Sequence, residues 1–112
     1  MLNRLAVVVS AKQPLVEWVR FNDPDADWIT LESAADDATI YLLPQIDYPA
    51  DYGPLIAAVW ASIFEDQLMQ WYSDDDLWPR GRTLEMFQQW FDCKYHSTIV
   101  DLSTRPLIDD EL

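Results

Sequence analysis

Leu5-Ala6-Val7-Val8-Val9 is an unbroken apolar run rich in β-branched residues, the pattern of a strand buried on both faces. Ser10 to Pro14 interrupts it, and Pro14 suits the first turn of a helix, where a missing N–H leaves no bond unmade. Leu15, Trp18 and Val19 then fall at i, i+3 and i+4, which predicts one apolar helical face reaching about Phe21. Asn22-Asp23-Pro24-Asp25 reads as a turn, in which Asx side chains bond their own backbone and Pro fixes φ. Trp28-Ile29 reads as a brief edge strand, followed by Thr30 as the cap of a short helix through Asp36. Thr39-Ile40-Tyr41-Leu42-Leu43 is the second strand, closed by Pro44 because proline cannot donate to a ladder.

Gln45 to Gly53 is a polar connection, and Asp51 with Pro54 marks the start of the main helix. Ile56, Val59, Trp60, Ile63, Phe64, Leu68 and Trp71 recur at helical spacing through about Tyr72. Ser73 to Asp76 ends that helix, with acids at the pole of the macrodipole that disfavours them. Thr83 caps a further helix whose apolar face is Leu84, Phe87, Trp90 and Phe91, and Thr98 to Leu102 reads as the last strand. These elements predict one α+β domain over residues 1–104 and a tail over 105–112. The expected architecture is a small mixed sheet of three or four strands, covered mainly on one face by the two C-terminal helices. Its first two major strands are expected to run parallel through a right-handed crossover.

At 112 residues the chain is the size of one domain with one core. Its apolar runs are far shorter than the ~20 residues of a membrane span, and the N-terminus lacks the apolar length of a secretory signal. With a single cysteine, Cys93, no intramolecular disulfide can form, so a reducing, cytoplasmic setting is expected. Two glycines are too few for a Gly-rich phosphate cradle, which excludes the common nucleotide-binding loops and leaves no cofactor indicated.

Charge is distributed very unevenly. Between Phe21 and Pro79 there are thirteen Asp and Glu and not one Lys or Arg, and this window supplies the whole net charge of −13. Such a field repels nucleic-acid phosphate and anionic lipid and favours a basic protein partner or a cation. Asp23, Asp25 and Asp27 alternate like the first half of a calcium loop, but Trp28 stands where Gly is needed and Ala34 where a bidentate Glu is needed. A capped turn is the better reading there. Asp74, Asp76 and Glu85 match such a loop less well, because Pro79 replaces the Gly. For Asp74, Asp75 and Asp76 the expectation is an ion-pair cluster with Arg80 and Arg82, with anion binding by the two arginines as the functional competitor. No metal site is expected.

Cys93 and His96 invite a thiolate–imidazole pairing, yet no orienting group or oxyanion device accompanies them. A structural Cys and a surface His are the better reading. Of the six tryptophans, Trp18, Trp60 and Trp90 lie on helical apolar faces and are expected in the core. Trp28, Trp71 and Trp78 adjoin the acidic turns and are the candidate interface anchors.

The segment Trp60 to Leu68, followed by Trp71, Leu77-Trp78-Pro79, Arg82-Thr83, Met86-Phe87 and Trp90-Phe91, resembles a group of short, acidic, uncharacterised bacterial proteins. Tyr41-Leu42-Leu43-Pro44, His96-Ser97 and Asp101-Leu102 extend the likeness over most of the chain. The resemblance implies a stand-alone bacterial protein with a shared fold, and it brings no reaction or catalytic residue with it. The functional expectation is a non-enzymatic interaction module engaging a basic partner through the acidic window with Trp28, Trp71 or Trp78. The alternative is a small enzyme or ligand-binding domain using Arg80, Arg82, Cys93 or His96. The sequence does not specify an oligomeric state.

Overall fold

The computed structural model describes residues 1–45 and 52–109. Along the chain run β1 (Arg4–Ala11), α1 (Gln13–Asn22), α2 (Leu31–Asp36), β2 (Thr39–Pro44), α3 (Tyr52–Trp71), a 3₁₀ turn (Asp75–Leu77), α4 (Leu84–Trp90) and β3 (Phe91–His96). The fold is α+β, as expected. Among the described residues the strands form one three-stranded sheet in the order β2-β1-β3. Much of the expected Gln45–Gly53 connection, including Asp51, lies outside the described residues.

The sheet is antiparallel throughout, which corrects the expected parallel pairing of the first two major strands. One helix between two strands returns the chain to its starting end and makes the strands parallel. Here two helices, α1 and α2, intervene, so the chain re-enters at the end where β1 finished: Val9 faces Thr39 and Arg4 faces Pro44. The 20-residue helix α3 then carries the chain back the length of the sheet, and after the 3₁₀ turn the short α4 feeds directly into the next strand. Strand β3 therefore begins opposite the end of β1, with Phe91 against Ala11.

Two further expectations change. Trp28-Ile29 forms no strand; Ile29 is buried beneath the loop, whereas Trp28 is 67% exposed. The last strand is Phe91–His96 and not Thr98–Leu102, because Phe91 leaves helix α4 directly into extended backbone (φ −135°, ψ 146°). Phe91, Cys93 and Tyr95 then alternate with Asp92, Lys94 and His96, the period of a strand with one wet face. Beyond His96, the backbone N–H of Leu2 donates to the carbonyl of Ile99 at 2.7 Å. Residues 97–109 contain no regular element.

Alternation divides the sheet into two unlike faces. Leu5, Val7, Val9 and Ala11 of β1 turn inward with Leu43 of β2 and Phe91 of β3, and one core joins them to Leu15, Val16 and Val19 of α1 and to Phe64, Leu68 and Phe87 of α3 and α4. Phe64 sits at its centre, its ring 5.3 Å from Phe91, 5.5 Å from Trp90 and 6.0 Å from Phe87. Trp18, Trp60 and Trp90 pack against this core half-buried, so they line it without lying inside it. The opposite face, with Val8, Ile40, Leu42 and Lys94, has no helix over it. Of the five-residue run, Ala6 on this face is nonetheless buried and Val8 half-buried.

Among the described residues no helix is long and apolar enough to cross a membrane.

Candidate functional site

Thr30 caps α2 as the sequence predicts. Its hydroxyl accepts from the Ser33 N–H at 3.1 Å, and the Ser33 hydroxyl accepts from the Thr30 N–H at 3.0 Å, a reciprocal box that satisfies two donors otherwise left bare. The loop before the cap is pinned by the guanidinium of Arg20, which donates to the Ile29 carbonyl. Asp23 Oδ1 accepts from the Asp25 N–H, so the Asp23–Asp27 alternation serves as a turn.

This fixed loop and α2 face the C-terminal end of α3 across a cleft of about 280 Å³. Trp28 and Trp71 form its aromatic walls, with ring centroids 6.5 Å apart and planes tilted by 33°. Ile29 and Ala34 make the apolar floor, and Ser33, Asp37 and Gln70 supply the polar groups. Two of the three tryptophans singled out as interface anchors therefore share one site. Ser33, Asp37 and Gln70 were missed by sequence reasoning: Asp37 lies just past the end of α2, and Gln70, though next to Trp71, is a helical neighbour that spacing alone does not put on the same face.

Trp78 lies elsewhere and is engaged internally. Its indole N–H donates to the Tyr72 carbonyl at 2.9 Å, and the Arg82 guanidinium lies over its ring at 5.8 Å from the centroid. Trp18 ties down the same loop by donating to the Leu77 carbonyl at 3.0 Å and meeting Tyr72 edge to face at 5.2 Å. Trp78 thus closes the turn after α3.

Asp74, Asp75 and Asp76 are exposed, with carboxylate oxygens within 4.8 Å of one another. Asp74 Oδ1 accepts from the Asp76 N–H and starts the 3₁₀ turn. Of the two arginines expected there, Arg80 reaches Asp76 at 3.5 Å, while Arg82 turns away to Glu65 of α3 at 3.4 Å and to the Pro79 carbonyl at 2.9 Å. The two guanidinium groups therefore serve different carboxylates and form no joint anion cradle.

Cys93 and His96 are three residues apart on one strand, which puts them on opposite faces. Burial pushes the Cys93 thiol up to about 11, with the Asp92 carboxylate adding to it and Lys12 opposing it. A thiol held neutral in this way lacks the electropositive setting of a nucleophile.

A polar network bridges β2 and α3. Tyr41 donates to Asp66, and the buried Gln67 amide donates to Thr39 and to the Tyr41 hydroxyl at 2.9 Å each. Burial, reinforced by Asp66, raises the Tyr41 phenol well above its ordinary range. This network ties the helix to the strand, and the Gln70 amide, which donates to Thr39 at 3.3 Å and to Asp66 at 3.2 Å, joins it to the edge of the cleft.

Comparison with protein-family models, with curated proteins and with solved structures gives no match to this chain.

Proposed function

We propose that this chain is a non-enzymatic interaction module that receives a cationic side chain of a basic protein partner in the Trp28–Trp71 cleft. The observation carrying this reading is the convergence of two indoles and the Asp37 carboxylate on one small cleft. Its volume is at the lower edge of the 300–1,000 Å³ typical of small-molecule pockets, which suits a single Lys or Arg side chain better than a larger ligand. Two ring centroids 6.5 Å apart leave a position within about 6 Å of both, the range of cation–π attraction. The surrounding acids, Asp23, Asp25, Asp27, Glu32 and Asp36, are all exposed and draw positive charge toward the same end of the molecule. The same field opposes nucleic acid and anionic membrane surfaces. A bacterial, cytoplasmic setting belongs to this reading through the lone cysteine and the resemblance of the sequence. The enzyme alternative gains no support from the placement of Arg80, Arg82, Cys93 and His96 on separate contacts and faces.

The test is a titration of the full chain with a mixed Lys/Arg peptide, followed by tryptophan fluorescence at about 20 and about 200 mM NaCl. Binding is expected to weaken with salt and to weaken further in Trp28→Ala and in Asp37→Asn, by about 0.5–2 kcal/mol for the aromatic. A peptide with every Lys and Arg replaced by Gln is expected not to bind. If the two variants bind as well as the parent, or the peptide never binds, the cleft is not the site.

A further inference from the structure

The polar groups of the Trp28–Trp71 cleft are all of one kind. Gln70 lines it with its amide N–H₂ already engaged, donating to Asp66 at 3.2 Å and to Thr39 at 3.3 Å. A carboxylate only accepts, so the contact with Asp66 identifies the nitrogen end of that amide and leaves the carbonyl oxygen as the other end. Among the described residues nothing donates to that oxygen. The Ser33 hydroxyl has committed its proton to the Thr30 carbonyl at 3.1 Å, so it too can offer a ligand an acceptor and no donor. Asp37 is exposed and adds its carboxylate oxygens. The indole N–H groups are donors, but they lie in the ring planes and do not meet a group resting on the ring faces.

Elsewhere in the same chain such a set of groups is filled. Arg82 lies over the Trp78 ring at 5.8 Å from the centroid while donating to the Pro79 carbonyl at 2.9 Å and to Glu65 at 3.4 Å. One guanidinium there serves an indole face, an amide carbonyl and a carboxylate together, because its five N–H donors lie in its own plane and leave its faces to the ring. The cleft repeats that set with two indoles, the Gln70 carbonyl and the Asp37 carboxylate. None of the chain's own bases lines it, and Arg20 beside the loop is held on the Ile29 carbonyl. An ammonium fits this set less well. It is more strongly hydrated, and its tetrahedral donors cannot all stay in the plane of the acceptors while the head rests on a ring.

We infer that the Trp28–Trp71 cleft selects arginine over lysine: a partner's guanidinium stacks on the indoles while its in-plane N–H groups bond Asp37 and the Gln70 carbonyl. The inference rests on the reading of the cleft as the receiver of a cationic side chain, and adds which cation it takes. Gln70 is then a specificity-determining residue, and Asp66 with Thr39 fixes which end of its amide a ligand meets.

The experiment titrates the full chain with three peptides of one otherwise uncharged sequence, carrying arginine, lysine or dimethylarginine at the same positions, with tryptophan fluorescence as the readout. Dimethylation keeps the charge and blocks bidentate hydrogen bonding. The arginine peptide is expected to bind on the order of tenfold more tightly than the lysine peptide, as one hydrogen bond to a charged group allows. The dimethylated peptide is expected to fall to the lysine level. Gln70→Leu is expected to narrow the arginine-to-lysine ratio, and a ratio stays readable even where the variant is less stable, because both peptides meet the same protein. Equal affinity for arginine and lysine, or an undiminished dimethylated peptide, overturns the arginine inference and leaves the cleft a general receiver of cations. A ratio unchanged in Gln70→Leu overturns it as well, since the carbonyl acceptor is then not its source. Failure of all three peptides to bind overturns this inference and the reading of the cleft beneath it.

Discussion

At the scale of single residues, this structure uses its reactive groups for packing. Cys93 faces the core from an edge strand between Asp92 and Lys94, and its thiol lies at about 11 where an ordinary one is 9.0. The folded state prefers the neutral thiol, so its contribution to stability is complete below pH 9.0 and is lost as pH rises from there through 11. Thermal melts of the parent are therefore expected to fall more steeply across that interval than melts of Cys93→Ala. The same property predicts slow alkylation at neutral pH, followed by a rise in rate above pH 9. Fast stoichiometric labelling at pH 7, or parallel pH profiles for parent and variant, would refute a buried neutral thiol. Tyr41 adds to the alkaline loss in both proteins, because burial and Asp66 also hold its phenol neutral. The comparison with Cys93→Ala reports the thiol together with the part of the Tyr95 rise that Cys93 causes, burial being the larger cause there.

At the scale of elements, α2 shows how a six-residue helix can be held in place. Too short to be stable alone, it depends on the Thr30–Ser33 box and on Ala34 in the core. Thr30→Ala is expected to cost about 0.5–2 kcal/mol, measured by urea unfolding, and to weaken peptide binding in the cleft because Ser33, Ala34 and Asp37 all depend on that cap. A variant with lowered stability and intact binding would show that the cleft does not rely on the box. This cap was legible in the sequence, as were β1, β2, α1 and the stripe of α3, since each announces its own period. Strand β3 was not. Phe91 satisfies two patterns at once, completing the helical set Leu84, Phe87 and Trp90 while opening the alternation Phe91, Cys93, Tyr95. Pairing with β1 decides for the strand, and that long-range term is invisible in a local window. Thr98 to Leu102 has the composition of a strand but finds only Leu2 beside it, where β1 has not yet begun. The cleft was half legible, because composition flags Trp28 and Trp71, whereas their meeting depends on how the loop and α3 pack.

At the scale of the whole molecule, the balance lies between a dense aromatic core and a charge of −13. Among the described residues two ion pairs appear, Arg80–Asp76 and Arg82–Glu65, and in each the acid is well exposed. Exposed pairs contribute about 0–1 kcal/mol each and are weakened by salt. Opposing them are thirteen acids in a window with no base, whose mutual repulsion is also screened by salt and extends over many more pairs. Raising NaCl from about 10 to about 200 mM shortens the Debye length from about 30 Å to below 10 Å, so the repulsion should fade before the two short contacts do. The melting temperature is therefore expected to rise across that range, and chloride or fluoride should serve equally if screening is the cause. Arg80→Gln, which removes an exposed pair, is expected to leave the slope with salt almost unchanged, while Asp74→Asn/Asp75→Asn should raise the low-salt melting point and flatten the slope. A melting point that declines with salt would place the cohesion of this fold in its ion pairs after all, and would require far more than the two pairs seen at the surface.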